Sequence, residues 1–116
     1  MNTKNPLIFI EHILENIKII EQFSKNLSKK EIERDKQKQY AIIRAIEVIG
    51  EAVKNLPENF VQKYPNVNWK QIGGTRDKLI HHYFGVDLDS IWKIITYDIP
   101  LLKKQVKEIS DLEKGC

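Results

Sequence analysis

Apolar residues in this chain recur at gaps of three and four, and no stretch alternates apolar with polar over a useful length. That period belongs to helices with one buried stripe, not to strands with one buried face. Only five glycines and four prolines interrupt 116 residues, so long helices are permitted. The expected architecture is an all-α bundle of four main helices and one short one, forming a single domain over residues 1–116. A bundle this small leaves apolar edge exposed, which favours a two-fold homodimer.

The first helix is predicted over Pro6 to Ser24. Ile10, Ile13, Leu14, Ile17, Ile20 and Phe23 make its stripe, with Leu7 one turn earlier. Pro6 suits a first helical turn. His12 falls off the stripe and reads as a surface residue. Ser28-Lys29-Lys30-Glu31 has the form of a capping box, so a second helix is expected from there to about Asn55, where Leu56-Pro57 stops it. Its first turns, Glu31 to Gln39, alternate charge and are expected to project as a solvated face; a basic rim for a nucleic-acid backbone is the alternative. Its later turns enter the core through Ile42, Ile46, Ile49, Val53 and Leu56.

Phe60, Val61 and Tyr64 mark one or two short turns between Pro57 and Pro65. Asn68 is placed to cap a third main helix, from Trp69 to about His82. Gly73-Gly74 inside it costs about 1 kcal/mol per glycine in helix stability. Close approach to another helix or to a ligand is the compensating use. Gly85 turns the chain and Asp87 caps the next segment. There Leu88, Ile91, Trp92, Ile95, Ile99, Leu102, Val106 and Ile109 keep one phase across Pro100, which predicts one helix kinked at that proline.

Charge and composition narrow the function. The net charge is +3, from 19 basic and 16 acidic residues, which permits a phosphate-bearing partner without demanding one. The one cysteine, Cys116, offers neither a disulfide framework nor a metal set. No signal-peptide layout and no membrane-length apolar run is present, so a cytoplasmic location without membrane contact is expected. No Gly-rich phosphate loop, dinucleotide fingerprint or His-Glu-x-x-His occurs. No metal and no cofactor are expected.

What remains is Gly73-Gly74-Thr75-Arg76-Asp77-Lys78-Leu79-Ile80-His81-His82-Tyr83. On one helix, Arg76 shares a stripe with Ile72, Leu79, Ile80 and Tyr83. A guanidinium there must be paired, lie at an interface, or face a wet cleft. Arg44, Glu47 and Glu51 flank the seam of the second helix, so Glu47 or Glu51 pairing with Arg76 is the plain structural account. His81 lies about 140° round the helix from Arg76. A two-fold dimer would nevertheless gather two arginines and two histidines around one cleft. Arginine with histidine suits metal-free cleavage of RNA. The guanidinium holds a phosphate, and an imidazole moves the protons of the 2′-hydroxyl and the 5′-oxygen.

Arg76 to Tyr83 matches Arg-x-x-x-x-His-x-Tyr, and the chain resembles HEPN-domain proteins of the HepT type. Arg44-Ala45-Ile46-Glu47-Val48-Ile49-Gly50-Glu51-Ala52, Tyr64-Pro65 before Trp69, and Tyr83-Phe84-Gly85-Val86-Asp87 before Ile91-Trp92 are similar to the family's flanks. The resemblance implies a HEPN-like antiparallel bundle that dimerises at the motif and acts as a ribonuclease toxin of a toxin–antitoxin system. It implies Arg76 and His81 as the catalytic pair, with Asp77 orienting the site. It also implies an MntA-type nucleotidyltransferase antitoxin that attaches AMP to Tyr83. His82 departs from the pattern as a second histidine, which leaves the reactive imidazole open between His81 and His82. The alternative reading is a non-catalytic HEPN module that binds a nucleotide or a nucleotidyltransferase.

Overall fold

The computed structural model describes residues 5–75 and 87–115, and every regular element among them is helical. α1 (Pro6–Ser24) starts where expected: the Asn5 side chain accepts from the Leu7 amide and Pro6 occupies the first turn. Ile10, Ile13, Ile17 and Ile20 are buried almost completely. Full burial of such a side chain is worth about 1.5–3 kcal/mol. Phe23 was expected on this stripe but is 38% exposed, because it lies in the last turn, past the core.

The predicted second helix is two helices. α2 (Lys29–Arg34) starts with the capping box at Ser28, whose backbone N–H donates to the Glu31 carboxylate at 2.8 Å. That hydrogen bond lowers the Glu31 pKa. α3 (Lys36–Lys54) follows after a break at Asp35. Asp35 closes α2 with its N–H and opens α3 with its side chain, which accepts from the Lys38 amide at 3.1 Å. The break turns α2 back onto the body, so these turns do not project as expected. Ile32 is fully buried, and the Gln39 side-chain amide, also buried, donates to the carbonyls of Ile32 and Glu33 at 2.8 and 2.9 Å. The loose carbonyl ends of α2 are thereby satisfied from α3.

α3 packs along α1 and supplies Ile42, Ile46, Ile49 and Val53 to the core, as its spacing predicts, together with Ile43. α4 (Glu58–Lys63) is the short helix after Pro57. α5 (Trp69–Gly73) ends at Gly73 with Gly74 as its cap, so it does not run unbroken through the glycine pair. The rest of the helix predicted to His82 lies outside the described residues.

Beyond Asp87 come α6 (Leu88–Lys93), a π-helical turn over Ile94–Asp98, and α7 (Ile99–Lys114). The chain stays helical through Pro100. In the π turn the Ile99 N–H donates to the carbonyl of Ile94, five residues back. Pro100 has no N–H, so the i−4 ladder lacks a donor at this point in any case. The extra residue shifts the stripe: Ile94 is buried and Ile95 only half-buried, the reverse of the expected order. Burial therefore follows Ile91, Ile94, Ile99, Leu102 and Val106, with a gap of five across the π turn.

The end of α7 is tied to α4. Glu113 accepts from Lys63 Nζ at 2.7 Å and from the Tyr64 hydroxyl. These bonds, Lys63 first, hold the Glu113 carboxyl below its usual range. Burial raises the Tyr64 hydroxyl, and the bond to Glu113 raises Lys63. A lowered carboxyl stabilises the fold above its unfolded value, near 4.3, and loses that effect as pH falls through its folded value. Raised groups behave oppositely, so Lys63 and Tyr64 contribute up to a pH of about 10 and cease to above it. Amide hydrogen exchange in the last turns of α7, relative to the intrinsic rate of an unstructured peptide at the same pH, is expected to accelerate on acidification below about pH 4. In Glu113→Gln that exchange should be faster at neutral pH and no longer show the acid step.

Candidate functional site

α3 and α5 meet at two glycines. A Cβ on Gly50 would stand 3.4 Å from the Gly73 carbonyl oxygen and 3.5 Å from that of Ile72. Gly73 in turn rests on Val53 and Lys54 of α3. Of the two uses considered for the glycine pair, the described contact is helix on helix. α5 itself is set by Asn68, which accepts from the Gln71 amide at 3.3 Å, and by buried Trp69, whose indole N–H donates to the Tyr64 carbonyl at 2.9 Å. The Thr75 hydroxyl donates to the Gln71 carbonyl at 2.9 Å. Thr75 is thus held in place, and Arg76 is the next residue.

On the far side, Asp87 caps α6. It accepts from the Ser90 amide at 3.1 Å and from the Ser90 hydroxyl at 2.8 Å. Asp89 pairs with Lys29, which joins α6 to α2. The two residues bounding the motif segment, Thr75 and Asp87, are therefore both anchored to the bundle. Arg76, Asp77, His81, His82 and Tyr83 themselves lie outside the described residues.

Glu47 and Glu51 are described. Glu47 lies three residues before Gly50 and is half-buried; Arg44 reaches it at 3.5 Å. This i, i+3 pair runs along the flank of α3. Arg44 itself is 74% exposed at its side chain, so the pair adds at most about 1 kcal/mol. Glu51 is exposed. The proposed pairing of Arg76 with either acid falls outside the described residues.

The structure adds a pocket that the sequence reading missed. It has a volume of about 130 Å³ and lies between α3, α5, the π turn and α7. Ile46, Ile49, Ile72, Ile94 and Leu102 form its apolar walls. Gln71, Thr75, Asp98 and Gln105 bring polar groups to it. Gln105 is fixed by donating its amide to the Asn66 carbonyl at 3.1 Å. Nothing in the linear order brings Gln71 beside Asp98 and Gln105; the nearest signal is that Asp98 and Gln105 fall off the apolar stripe of the last helix.

The model of the HepT-like ribonuclease family matches residues 13–109, a span that encloses the whole Arg76–Tyr83 pattern. The chain belongs to this family. Among its HepT-like relatives is "Putative RNase MJ0127" of Methanocaldococcus jannaschii, 48% identical over 114 residues, which cover 97% of this chain and 94% of that protein. "Putative RNase TTE0752" of Caldanaerobacter subterraneus is 47% identical over 111 residues, 96% of this chain and 99% of its own length. "Probable ribonuclease HepT" of Thermococcus cleftensis is 43% identical over 101 residues, 87% of this chain and 92% of its own length. No solved structure matches the chain. The HepT-like assignment agrees with the all-helical bundle. No helix among the described residues is long and apolar enough to cross a membrane.

Proposed function

We propose that this HepT-like chain is a metal-independent endoribonuclease and the toxin of a toxin–antitoxin pair. The observation that carries the proposal is the Arg-x-x-x-x-His-x-Tyr pattern lying inside the span matched by a ribonuclease family. The anchoring of Thr75 and Asp87 supports it, because a catalytic segment needs a rigid frame.

In this reading the chain works as a two-fold dimer in the cytoplasm, and each protomer brings Arg76 and His81 to a shared cleft. Arg76 binds the scissile phosphate through paired hydrogen bonds and stabilises the charge that builds on it. One imidazole takes the proton of the ribose 2′-hydroxyl, whose oxygen attacks phosphorus. The bond to the 5′-oxygen breaks, and a protonated imidazole returns a proton to that leaving oxygen. The products are a 2′,3′-cyclic phosphate and a free 5′-hydroxyl. Asp77 orients the site, and His82 stands by as the alternative proton carrier. Glu47 and Glu51 lie on the neighbouring helix as second supports for Arg76. An MntA-type nucleotidyltransferase antitoxin silences the enzyme by attaching AMP to Tyr83. The added phosphates neutralise Arg76 and exclude the RNA backbone.

The test is incubation of purified protein with transfer RNA or messenger RNA beside an Arg76→Ala control. Cleavage by the wild type alone is expected, with cyclic-phosphate ends on the products. Cutting is expected to be unchanged in EDTA, measured as the rate of substrate loss on a gel. Loss of cutting in the chelator would exclude the metal-free route.

A further inference from the structure

We infer that the pocket between α3, α5, the π turn and α7 is a nucleobase subsite with a preference for guanine. The inference rests on the ribonuclease reading for its ligand class, RNA. Three observations carry it.

The first is size. A cavity of about 150 Å³ accepts a benzene ring, and this one is about 130 Å³ with partly exposed Leu101 also in its lining. At slightly under that size the pocket would take the edge and most of one aromatic ring, with the rest of a fused base in the open mouth. The aliphatic side chains of Ile46, Ile49, Ile72, Ile94 and Leu102 suit the flat faces of such a ring.

The second is the polar set. Asp98 offers a carboxylate, and among the described residues it has no hydrogen-bond or ion-pair partner. Gln105 spends one amide N–H on the Asn66 carbonyl, which leaves its other N–H to donate and its side-chain oxygen to accept. Gln71 accepts from Asn68 at 2.7 Å, which leaves its own side-chain N–H groups to donate. The Thr75 hydroxyl gives its hydrogen to Gln71 and keeps its lone pairs. The set therefore combines acceptors at Asp98, Gln105 and Thr75 with amide donors at Gln71 and Gln105, and Asn66 also lies on the wall. Guanine presents two adjacent donors, N1–H and N2–H, which one carboxylate accepts together, and its O6 is an acceptor for Gln71. Adenine, cytosine and uracil offer no such pair. Reading an unstacked base on its Watson–Crick edge is the usual way in which RNA sequence is recognised.

The third is position. The π turn supplies Ile94 and Asp98 to the pocket, and single π turns inside helices are frequent at functional sites. Thr75, on the pocket wall, directly precedes Arg76 in the chain. A base seated here would lie against the last described residue before the one assigned to the phosphate.

The experiment uses the full chain and two readouts. Single-stranded RNA oligonucleotides that differ only in the base beside the cleaved bond are cut by the wild type, Asp98→Asn and Gln105→Ala. Separately, the side-chain amide NMR signals of Gln71 and Gln105 are followed while GMP or AMP is added. The wild type should prefer guanine by about ten- to hundred-fold, the range of one good bidentate base contact. Asp98→Asn should erase most of that preference, because its NH₂ opposes the donors of guanine. Gln105→Ala, which removes a half-buried side chain from the pocket wall, should weaken it. GMP should shift the wild-type amide signals and leave those of Asp98→Asn unmoved.

Cutting with no base preference, or with the same preference in Asp98→Asn, would overturn the subsite and leave the ribonuclease reading standing. Asp98-dependent GMP binding without any cutting would uphold the pocket and overturn that reading instead. A change of oligomeric state in Asp98→Asn, with preference intact, would show the pocket seating a second copy and would overturn the subsite.

Discussion

Replacing His81 with alanine is expected to lower the rate of RNA cleavage by about 10²–10⁴-fold, the range supplied by one positioned acid–base group. Unfolding by urea should be nearly unchanged if the loss is one of chemistry alone; the core among the described residues is built on α1, α3 and α7. Arg76→Ala is expected to cost about 10²–10³-fold, as when a single donor to a developing oxyanion is removed. Arg76→Lys should recover little of that, because an ammonium cannot make the paired contact of a guanidinium. If the two residues act as one unit, the double variant should be little worse than either single one. His82→Ala should retain most of the activity. Full activity in His81→Ala with loss in His82→Ala would move the proton transfer to the second histidine. The readouts are initial rates on a labelled oligonucleotide and growth of cells that express each variant.

The second large effect is expected away from the chemistry, at Gly50. Its Cβ position is already 3.4 Å from the Gly73 carbonyl, so alanine just fits and leucine does not. Gly50→Ala should be close to neutral, since a helical alanine gains up to about 1 kcal/mol over glycine and the contact loses part of it. Gly50→Leu must push α5 away from α3. Overpacking of this kind costs about 1–3 kcal/mol, read as a lower urea midpoint. The larger consequence falls on activity. Displacing α5 displaces Thr75, and with it the start of the motif segment. A shift near 1 Å in a catalytic constellation costs on the order of 10²-fold in rate. A Gly50→Leu protein that is less stable but cuts RNA at the wild-type rate would separate the helix contact from the site.

Much of this was open to a reader of the residues. α1 has its predicted ends because Asn5 and Pro6 mark the start and the isoleucine spacing marks the buried face. The capping roles of Ser28, Asn68 and Asp87 hold, since each depends on an amide three residues away. The Arg76–Tyr83 pattern was visible as a motif, and the family match encloses it. The break at Asp35 was not visible. Asp35 stands among charged residues, and its effect depends on Ile32 reaching the core and on the Gln39 amide closing the turn. The π turn was hidden for a related reason: Ile94 and Ile95 are both apolar, so either could have continued the stripe.

The residues by themselves determined the helical character of the chain, most of its buried stripes, its caps and the arginine–histidine–tyrosine pattern. These depend on neighbours within about one helical turn, and such neighbours are adjacent in the sequence. Only the tertiary structure decided that Gly50 meets Gly73, that α2 folds back under α3, and that Gln71, Asp98 and Gln105 line one pocket. Those contacts join residues on different helices. Which helix faces meet is settled by the packing of the whole core, and no local pattern encodes it.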